Sequence, residues 1–390
     1  MKKRVYLDHN ASGPVLPEVL EAMLPYFTVE YGNPSSVHSL GQDAMEAVED
    51  AREKVADLIG ADPGEIIFTS GGSESDNFAI KGFVQSLKGK KAHVITSAVE
   101  HKAVLETVHF LEENGVEATY LDVDKRGRIA IDDLERAIID ETRLISIMYA
   151  NNETGTIFDV PSIGKIARDR GIAFHTDAVQ AVGKIDVDVK RDKIDMLSIA
   201  GHKMGAPKGV GALFIKGDLN PRPTPIIQGG KHEFGMRAGT VNVPSVVGLG
   251  AAAEIAKKEL KKKGEKLRKL RDRLEAGILE RVDDVQVNGD VENRLTNTSN
   301  MSFAYVEGES LMIDLDIHGV CVSSGSACAS EDISISHVLE AMSVDPVIGQ
   351  GTIRFSLGHG NTEEEIDYVI ETIPKVIKRL RELSPLYKKG

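Results

Sequence analysis

Three short segments and one thiol carry side chains that can do covalent chemistry. In Phe68-Thr69-Ser70-Gly71-Gly72-Ser73-Glu74-Ser75-Asp76-Asn77 an apolar stretch meets a Gly-Gly turn and a helix start. Backbone amides at such a start face an anion, so the amides of Gly72 and Ser73 with the Ser73 hydroxyl can hold a phosphate. The same residues also make an ordinary strand-helix joint, and no Lys-Ser or Lys-Thr follows at P-loop spacing. In Phe174-His175-Thr176-Asp177-Ala178-Val179-Gln180, Asp177 closes an apolar run, where a carboxylate can hold a protonated ring nitrogen. In Ser198-Ile199-Ala200-Gly201-His202-Lys203 an apolar run ends in a glycine turn and a lysine. A lone lysine is ordinarily a solvated surface charge, but desolvation after a buried strand lowers its pKa and frees the amine to attack an aldehyde.

The two cysteines differ in setting. Cys321 lies in the apolar pattern Gly319-Val320-Cys321-Val322 and reads as an inert small hydrophobe. Cys328 lies in a Gly/Ser-rich stretch, 323–334, with little apolar content to pin it, so that loop is expected to move between the site and an outside acceptor. A thiol with a pKa near 8.5 is only about 3% thiolate at pH 7, so a nearby imidazole or cofactor group must help to deprotonate it.

The elements that position these groups follow from the hydrophobic pattern. Short apolar runs at 65–69, 92–97, 144–149, 172–175, 196–199 and 211–215 read as buried strands. Between them, 46–59, 76–87 and 102–114 repeat apolar residues at three-to-four spacing and read as amphipathic helices. This alternation is the mark of parallel β-α units and predicts an α/β domain over residues 15–255. Strands at 298–305, 320–323 and 352–356 and helices at 310–316 and 363–383 predict a smaller α+β domain, 1–14 with 256–390, which carries the Cys328 loop. The intervening 254–275 is crowded with lysine and arginine and reads as a helix with a solvated basic face. Gly248-Leu249-Gly250 imitates a dinucleotide turn, but Pro244 argues against a buried strand before it, so close helix packing is the better account.

Composition narrows the function classes. The 390 residues suffice for two or three domains. Lys plus Arg number 47 against 60 Asp plus Glu, a net charge of -13, which argues against nucleic acid binding. Hydrophobic residues at 41% and charged residues at 27% exclude disorder and disulfide-stapled scaffolds. Two cysteines cannot build a four-thiolate zinc cage, so no resident metal is expected, and their sparseness fits a cytoplasmic setting. The basic start, 1–4, lacks a following apolar region, and the uncharged 238–253 is too short and polar to span a bilayer, so no membrane segment is expected.

A phosphate turn, an aspartate and a lysine, in that order on successive β-α units, are the fixtures that pyridoxal 5'-phosphate (PLP) needs. Together with Tyr6-Leu7-Asp8-His9-Asn10-Ala11, Gly32-Asn33-Pro34-Ser35-Ser36, Glu100-His101-Lys102-Ala103-Val104, Asn151-Asn152-Glu153-Thr154-Gly155, Arg237-Ala238-Gly239-Thr240, Ser323-Ser324-Gly325-Ser326-Ala327-Cys328 and Ile353-Arg354-Phe355-Ser356-Leu357-Gly358, they make the chain resemble, end to end, cysteine desulfurases of the NifS/IscS-like kind within the class V aminotransferase superfamily.

The resemblance implies PLP fold type I, a large domain with a mainly parallel seven-stranded sheet plus the smaller α+β domain. It implies that Lys203 binds the cofactor, His101 stacks on it and moves protons, and Cys328 takes sulfur from L-cysteine as a persulfide while alanine leaves. The other cofactor contacts it implies are Gly72, Ser73, Asn152, Asp177, Gln180, Ala200, His202 and Thr240, with Thr240 lent by the second subunit of a homodimer. Asn10, Asn152 and Arg354 are the implied substrate contacts, Arg354 gripping the carboxylate in a two-point salt bridge. An iron-sulfur scaffold protein (IscU-like) is the implied sulfur acceptor, with tRNA thiolation a second outlet and Cys328 a possible shared ligand of a nascent [2Fe-2S] cluster. Ala200 replaces a usual serine and Ser73 a usual threonine, which implies weaker cofactor affinity, and Ser12-Gly13 replaces two usual hydroxyl residues near the substrate entrance. Two other readings remain: a selenocysteine lyase or aminotransferase with Cys328 incidental, and a non-catalytic scaffold.

Overall fold

The computed structural model describes residues 4–324, 335–385 and 387. Among these the strands, in chain order, are β1 (Val5–Tyr6), β2 (Ile66–Thr69), β3 (His93–Ser97), β4 (Glu117–Leu121), β5 (Thr142–Ser146), β6 (Ala173–Asp177), β7 (Met196–Ala200), β8 (Gly211–Ile215), β9 (Val285–Asn288), β10 (Thr298–Phe303), β11 (Val320–Cys321) and β12 (Thr352–Ser356). Seven of them form one sheet in the order β2-β8-β7-β6-β5-β3-β4, in which only β8 runs against its neighbours.

Alternation along each strand explains the layers. Ile66, Phe68, Ile95, Ile145, Phe174, Leu197, Ile199, Ala212 and Phe214 pack on one face, against the helices Ser39–Ile59, Val160–Arg170 and the start of Val243–Leu279. Ile67, Val94, Leu144, Ala173, Met196, Leu213 and Ile215 pack on the other, against helical residues 78–87 and Lys102–Glu113. Strands buried on both faces must be apolar throughout, which is why they read as continuous runs. A second core gathers Val5 and Leu7 with Leu267, Leu270, Leu274, Phe303, Ile353, Phe355 and Ile373 around the antiparallel sheet β12-β10-β9. There β1 pairs in parallel with β11, Tyr6 opposite Cys321. The helix Val243–Leu279 contributes residues 246–253 to the first core and 267–278 to the second.

Several boundaries depart from expectation. The run 144–149 leaves the sheet after Ser146, because Ile147 to Ala150 stay buried as a loop leading to Asn151 and Asn152. The strand expected at 172–175 continues to Asp177. β4 is an additional edge strand, exposed or half-buried at all but its last residue. The basic helix begins at Val243 rather than near 254: Asn242 caps it and Pro244 sits in its first turn, where a missing N–H costs nothing. A Cβ at Gly248 would lie 2.7 Å from Met23 Sδ, and one at Gly250 2.6 Å from Ala51 Cα, so these glycines do serve close helix packing. The basic face is solvated at Lys257, Lys258, Lys261, Lys262 and Lys266, whereas Lys263 is half-buried and Arg271 is buried, donating to the Leu295 carbonyl at 2.8 Å. No helix among the described residues is long and apolar enough to cross a membrane.

Candidate active site

A cleft of about 560 Å³ opens at the carboxyl ends of β6 and β7, the place where an α/β sheet offers ligands the ends of its strands. It gathers Asn10, Gly72, Ser73, His101, Asn152, Asp177, Gln180, Ala200, His202, Lys203 and Arg354 on one wall-and-floor surface. Thr240 is exposed and does not line this cleft. Cys328 lies outside the described residues.

The floor comes from neighbouring strand ends. Asp177 is the last residue of β6, opposite Ser198 of β7, and Lys203 follows β7 in a single helical turn, Gly201–Lys203. One Asp177 oxygen accepts from the Val179 N–H at 2.9 Å. Burial pushes the Asp177 carboxyl up, while His101 and Lys203 pull it back. A cationic ring N–H is the partner that such a carboxylate lacks. Lys203 Nζ donates to the carbonyls of Asn10 (2.5 Å) and Ala11 (2.8 Å).

The end of the cleft at residues 71–73 is shaped by glycine. Gly71 adopts φ 151°, open only to glycine, and turns the chain from β2 into the helix Gly72–Asn77. A Cβ at Gly72 would lie 2.7 Å from Val179 Cγ2, so a larger residue would disturb the floor beside Asp177. Ala200 presents its methyl to the same turn, 3.6 Å from where a Cβ on Gly72 would lie. His202 Nδ1 lies 3.3 Å from Ser12 Oγ, and burial, then Lys203, lowers its imidazole to about 4, leaving it neutral. This small-residue turn and the His202 imidazole fit a phosphate, and the cleft that Asp177 and His101 both line has room for an aromatic ring.

His101 caps the helix Lys102–Glu113: its Nδ1 accepts from the Ala103 N–H at 3.1 Å, which directs the Nε2 edge elsewhere. Burial, with Lys203 and Lys102 adding like charge, holds it below the ordinary imidazole value against the pull of Asp177.

Arg354, on β12, is buried rather than a surface ion-pair partner. Its Nη2 donates to Asp8 Oδ1 (2.9 Å) and its Nη1 to the Asn152 carbonyl (3.1 Å), while its buried Nε has no hydrogen-bond partner among the described residues. An orphaned guanidinium N–H beside the cleft suits an incoming carboxylate. Asn10 lines the cleft and is buried. Its amide donates to Thr298 Oγ1 and the Asn152 carbonyl and accepts from Lys184 and Asn297, so the side chain ties the walls together.

Several residues here escaped the sequence reading. Glu100 accepts from Ser97 and from the Met148 N–H, and burial raises it to about 8. Glu153 accepts from Ser336 at 2.6 Å, and burial raises it to about 7. Asp76, fully buried, is pushed well up by burial and by Asp177. Lys184 reaches Gln180 from four residues on, a spacing that could have flagged it. Cys321 donates to Asp316 Oδ1 at 3.7 Å, burial raises its thiol, and it lines no part of this cleft. Among the described residues no group of three or more His, Cys, Asp and Glu is placed to hold a metal.

A half-buried lysine one turn beyond β7 and a buried aspartate at the end of the adjacent β6, on a seven-stranded α/β sheet with a glycine turn opening the same cleft, suit a PLP enzyme of fold type I. The model of the family described as aminotransferase class-V matches residues 5–369, and the chain belongs to that family. It is 48% identical over 390 residues to cysteine desulfurase IscS of Clostridium botulinum, covering 100% of this chain and 98% of that protein. Among solved structures it is similar to a NifS-like protein (TM-score 0.91, 39% identity, 97% of this chain and 100% of that one). It is also similar to SspA in complex with cysteine (TM-score 0.81, 38% identity, 92% and 99%).

Proposed function

We propose that the protein is a PLP-dependent cysteine desulfurase that converts L-cysteine to L-alanine and leaves the sulfur on Cys328 as a persulfide. The observation that carries this reading is the meeting of Lys203, Asp177, His101 and a buried Arg354 with a free Nε around one cleft. The whole-length likeness to cysteine desulfurases supports it.

Bound through its aldehyde to Lys203, PLP would supply an electron sink for the pair left at the substrate Cα. Gly72, Ser73 and His202 would hold the phosphate, Asp177 the proton of the ring nitrogen, and Gln180 and Asn152 the polar edge of the ring. Arg354 binds the substrate carboxylate through Nε and a remaining Nη hydrogen, kept in place by Asp8. The Lys203 amine would be the base that removes the α-proton. His101, whose imidazole burial holds below its ordinary value, would accept the thiol proton. The Cys328 thiolate would attack the substrate sulfur: an S–S bond forms, the Cβ–S bond breaks and its electron pair goes to Cβ, which takes up the proton lost by the Cys328 thiol. Lys203 returns the α-proton to Cα to give alanine, and the substrate thiol hydrogen stays on the outer sulfur. Atoms balance as cysteine plus enzyme thiol giving alanine plus enzyme persulfide.

The reading extends to a homodimer in which Thr240 of each chain completes the other's phosphate site. The exposed apolar side chains Leu20, Leu24, Phe27, Val29, Tyr31 and Val37 support such an interface. An iron-sulfur scaffold is the proposed acceptor, in a cytoplasmic setting, with Cys328 able to share a cluster ligand there.

Mass spectrometry of the holoenzyme after incubation with L-cysteine tests the proposal. One added sulfur on the peptide containing Cys328, absent in Lys203→Ala, is expected; an unmodified Cys328 with alanine still formed would overturn it. Cys328→Ser separates this reading from an aminotransferase, which would keep its turnover.

A further inference from the structure

Lys184 has no place in the mechanism above, yet it is built into the same hydrogen-bond circuit as Lys203. Its Nζ donates to Gln180 Oε1 at 2.6 Å and to Asn10 Oδ1 at 2.9 Å. An ammonium has donors only, so it forces both amide oxygens toward itself. The Gln180 Nε2 then faces the Asn10 carbonyl at 3.0 Å, and the Asn10 Nδ2 faces Thr298 Oγ1 at 2.8 Å and the Asn152 carbonyl at 3.2 Å. The Asn10 carbonyl is also the 2.5 Å acceptor of Lys203 Nζ. Two amines therefore meet on the two oxygens of one asparagine.

Their surroundings sharpen the conflict. Behind the main cleft a second cavity of about 310 Å³ is lined by both Lys184 and Lys203, with Lys263, His9 and His359 as its other titratable groups, and among the described residues no carboxylate lines it. From the main cleft His101, His202 and Asp177 face Lys203, and Arg354 adds positive charge near Lys184. Burial, then Lys203, holds the Lys184 ammonium well below the ordinary lysine range.

We propose that Lys184 is a positioning residue for Lys203: it locks the Gln180 and Asn10 amides in one orientation and, as a like charge, opposes protonation of the Lys203 nitrogen. This rests on the reading that Lys203 carries the cofactor. Removing the charge raises the midpoint at which that nitrogen gains its proton, because a neighbouring cation disfavours the protonated form.

The test is a spectrophotometric pH titration of purified holoenzyme, following the visible band of the lysine-bound cofactor without substrate. Lys184→Met is expected to raise the midpoint by about one unit, a tenfold change in the protonation ratio at fixed pH. Lys184→Arg, which keeps the charge, should stay near wild type. A midpoint in Lys184→Met within about 0.2 units of wild type would overturn the inference. Should the Met variant not fold, Lys184→Gln, uncharged but still able to donate to Gln180, must show the same rise. Absence of the visible band in the wild-type protein would instead sink the Lys203 reading itself.

Discussion

The floor and the far wall of the cleft are made in different ways. Asp177 ends β6 and Lys203 follows the adjacent parallel β7 by one helical turn, so both are positioned by a single sheet and one core. Arg354 lies in the middle of β12, in the other core, and is aimed by Asp8 and by the Asn152 carbonyl. On the proposed reading the floor holds chemistry that one folded sheet can place. The wall holds recognition that exists only where residues 8–10 thread between the two cores and Asn10 ties Thr298 to Asn152 and Gln180. Changes to the floor should therefore act on turnover and changes to the wall on substrate affinity.

The sharpest contrast comes from Lys203→Ala, which removes the proton-abstracting amine. Turnover, measured as alanine released from saturating L-cysteine with added PLP, should fall by about 10³-fold or more. Arg354→Lys keeps a positive charge but loses the forked geometry, and should raise KM by about ten- to a hundredfold with a smaller effect on kcat. A fall in kcat at unchanged KM would erase the distinction between wall and floor. Asp8→Asn leaves the guanidinium in place but frees it to turn, so steady-state kinetics should show KM rising by about fivefold.

The smallest effect concerns stability and pH. Burial raises Glu100 to about 8 in the folded protein, above its ordinary 4.5, so between these values the folded state holds a proton that the unfolded state has lost. Its contribution to stability is present below about pH 4.5 and fades as pH rises through about 8. Glu100→Gln should flatten that decline, seen as a smaller drop in Tm between pH 5 and pH 8 than in wild type. An equal or larger drop would mean that Glu100 is not held protonated.

Much of this organisation was legible from residue pattern because burial on both faces writes strands as apolar runs. The runs at 65–69, 196–199 and 211–215 landed within a residue of β2, β7 and β8. The helix Glu363–Leu383 matched at both ends, its start marked by the Thr362 and Glu365 capping box. β4 was missed because an edge strand with Glu117 exposed and three half-buried residues has no such run. The end of β5 was misplaced because Ile147 to Ala150 are buried as a strand would be, and the Ile147 and Tyr149 N–H groups still donate to the His175 and Asp177 carbonyls of β6, although the strand itself ends at Ser146. Asp177 and Lys203 could be read from their position after apolar runs, whereas Arg354 became legible only through the family resemblance, since a mid-strand arginine looks like any surface charge. Lys184, Glu100 and Glu153 stayed hidden because what distinguishes them is burial and long-range partners.

The central claim is that the nitrogen at position 203, and not its neighbour at 184, bears the cofactor. Borohydride reduction of the PLP-loaded enzyme, followed by peptide mass mapping, decides it directly. The account predicts a pyridoxyl group on Lys203; a label on Lys184, or no labelled lysine in the cleft, would contradict it.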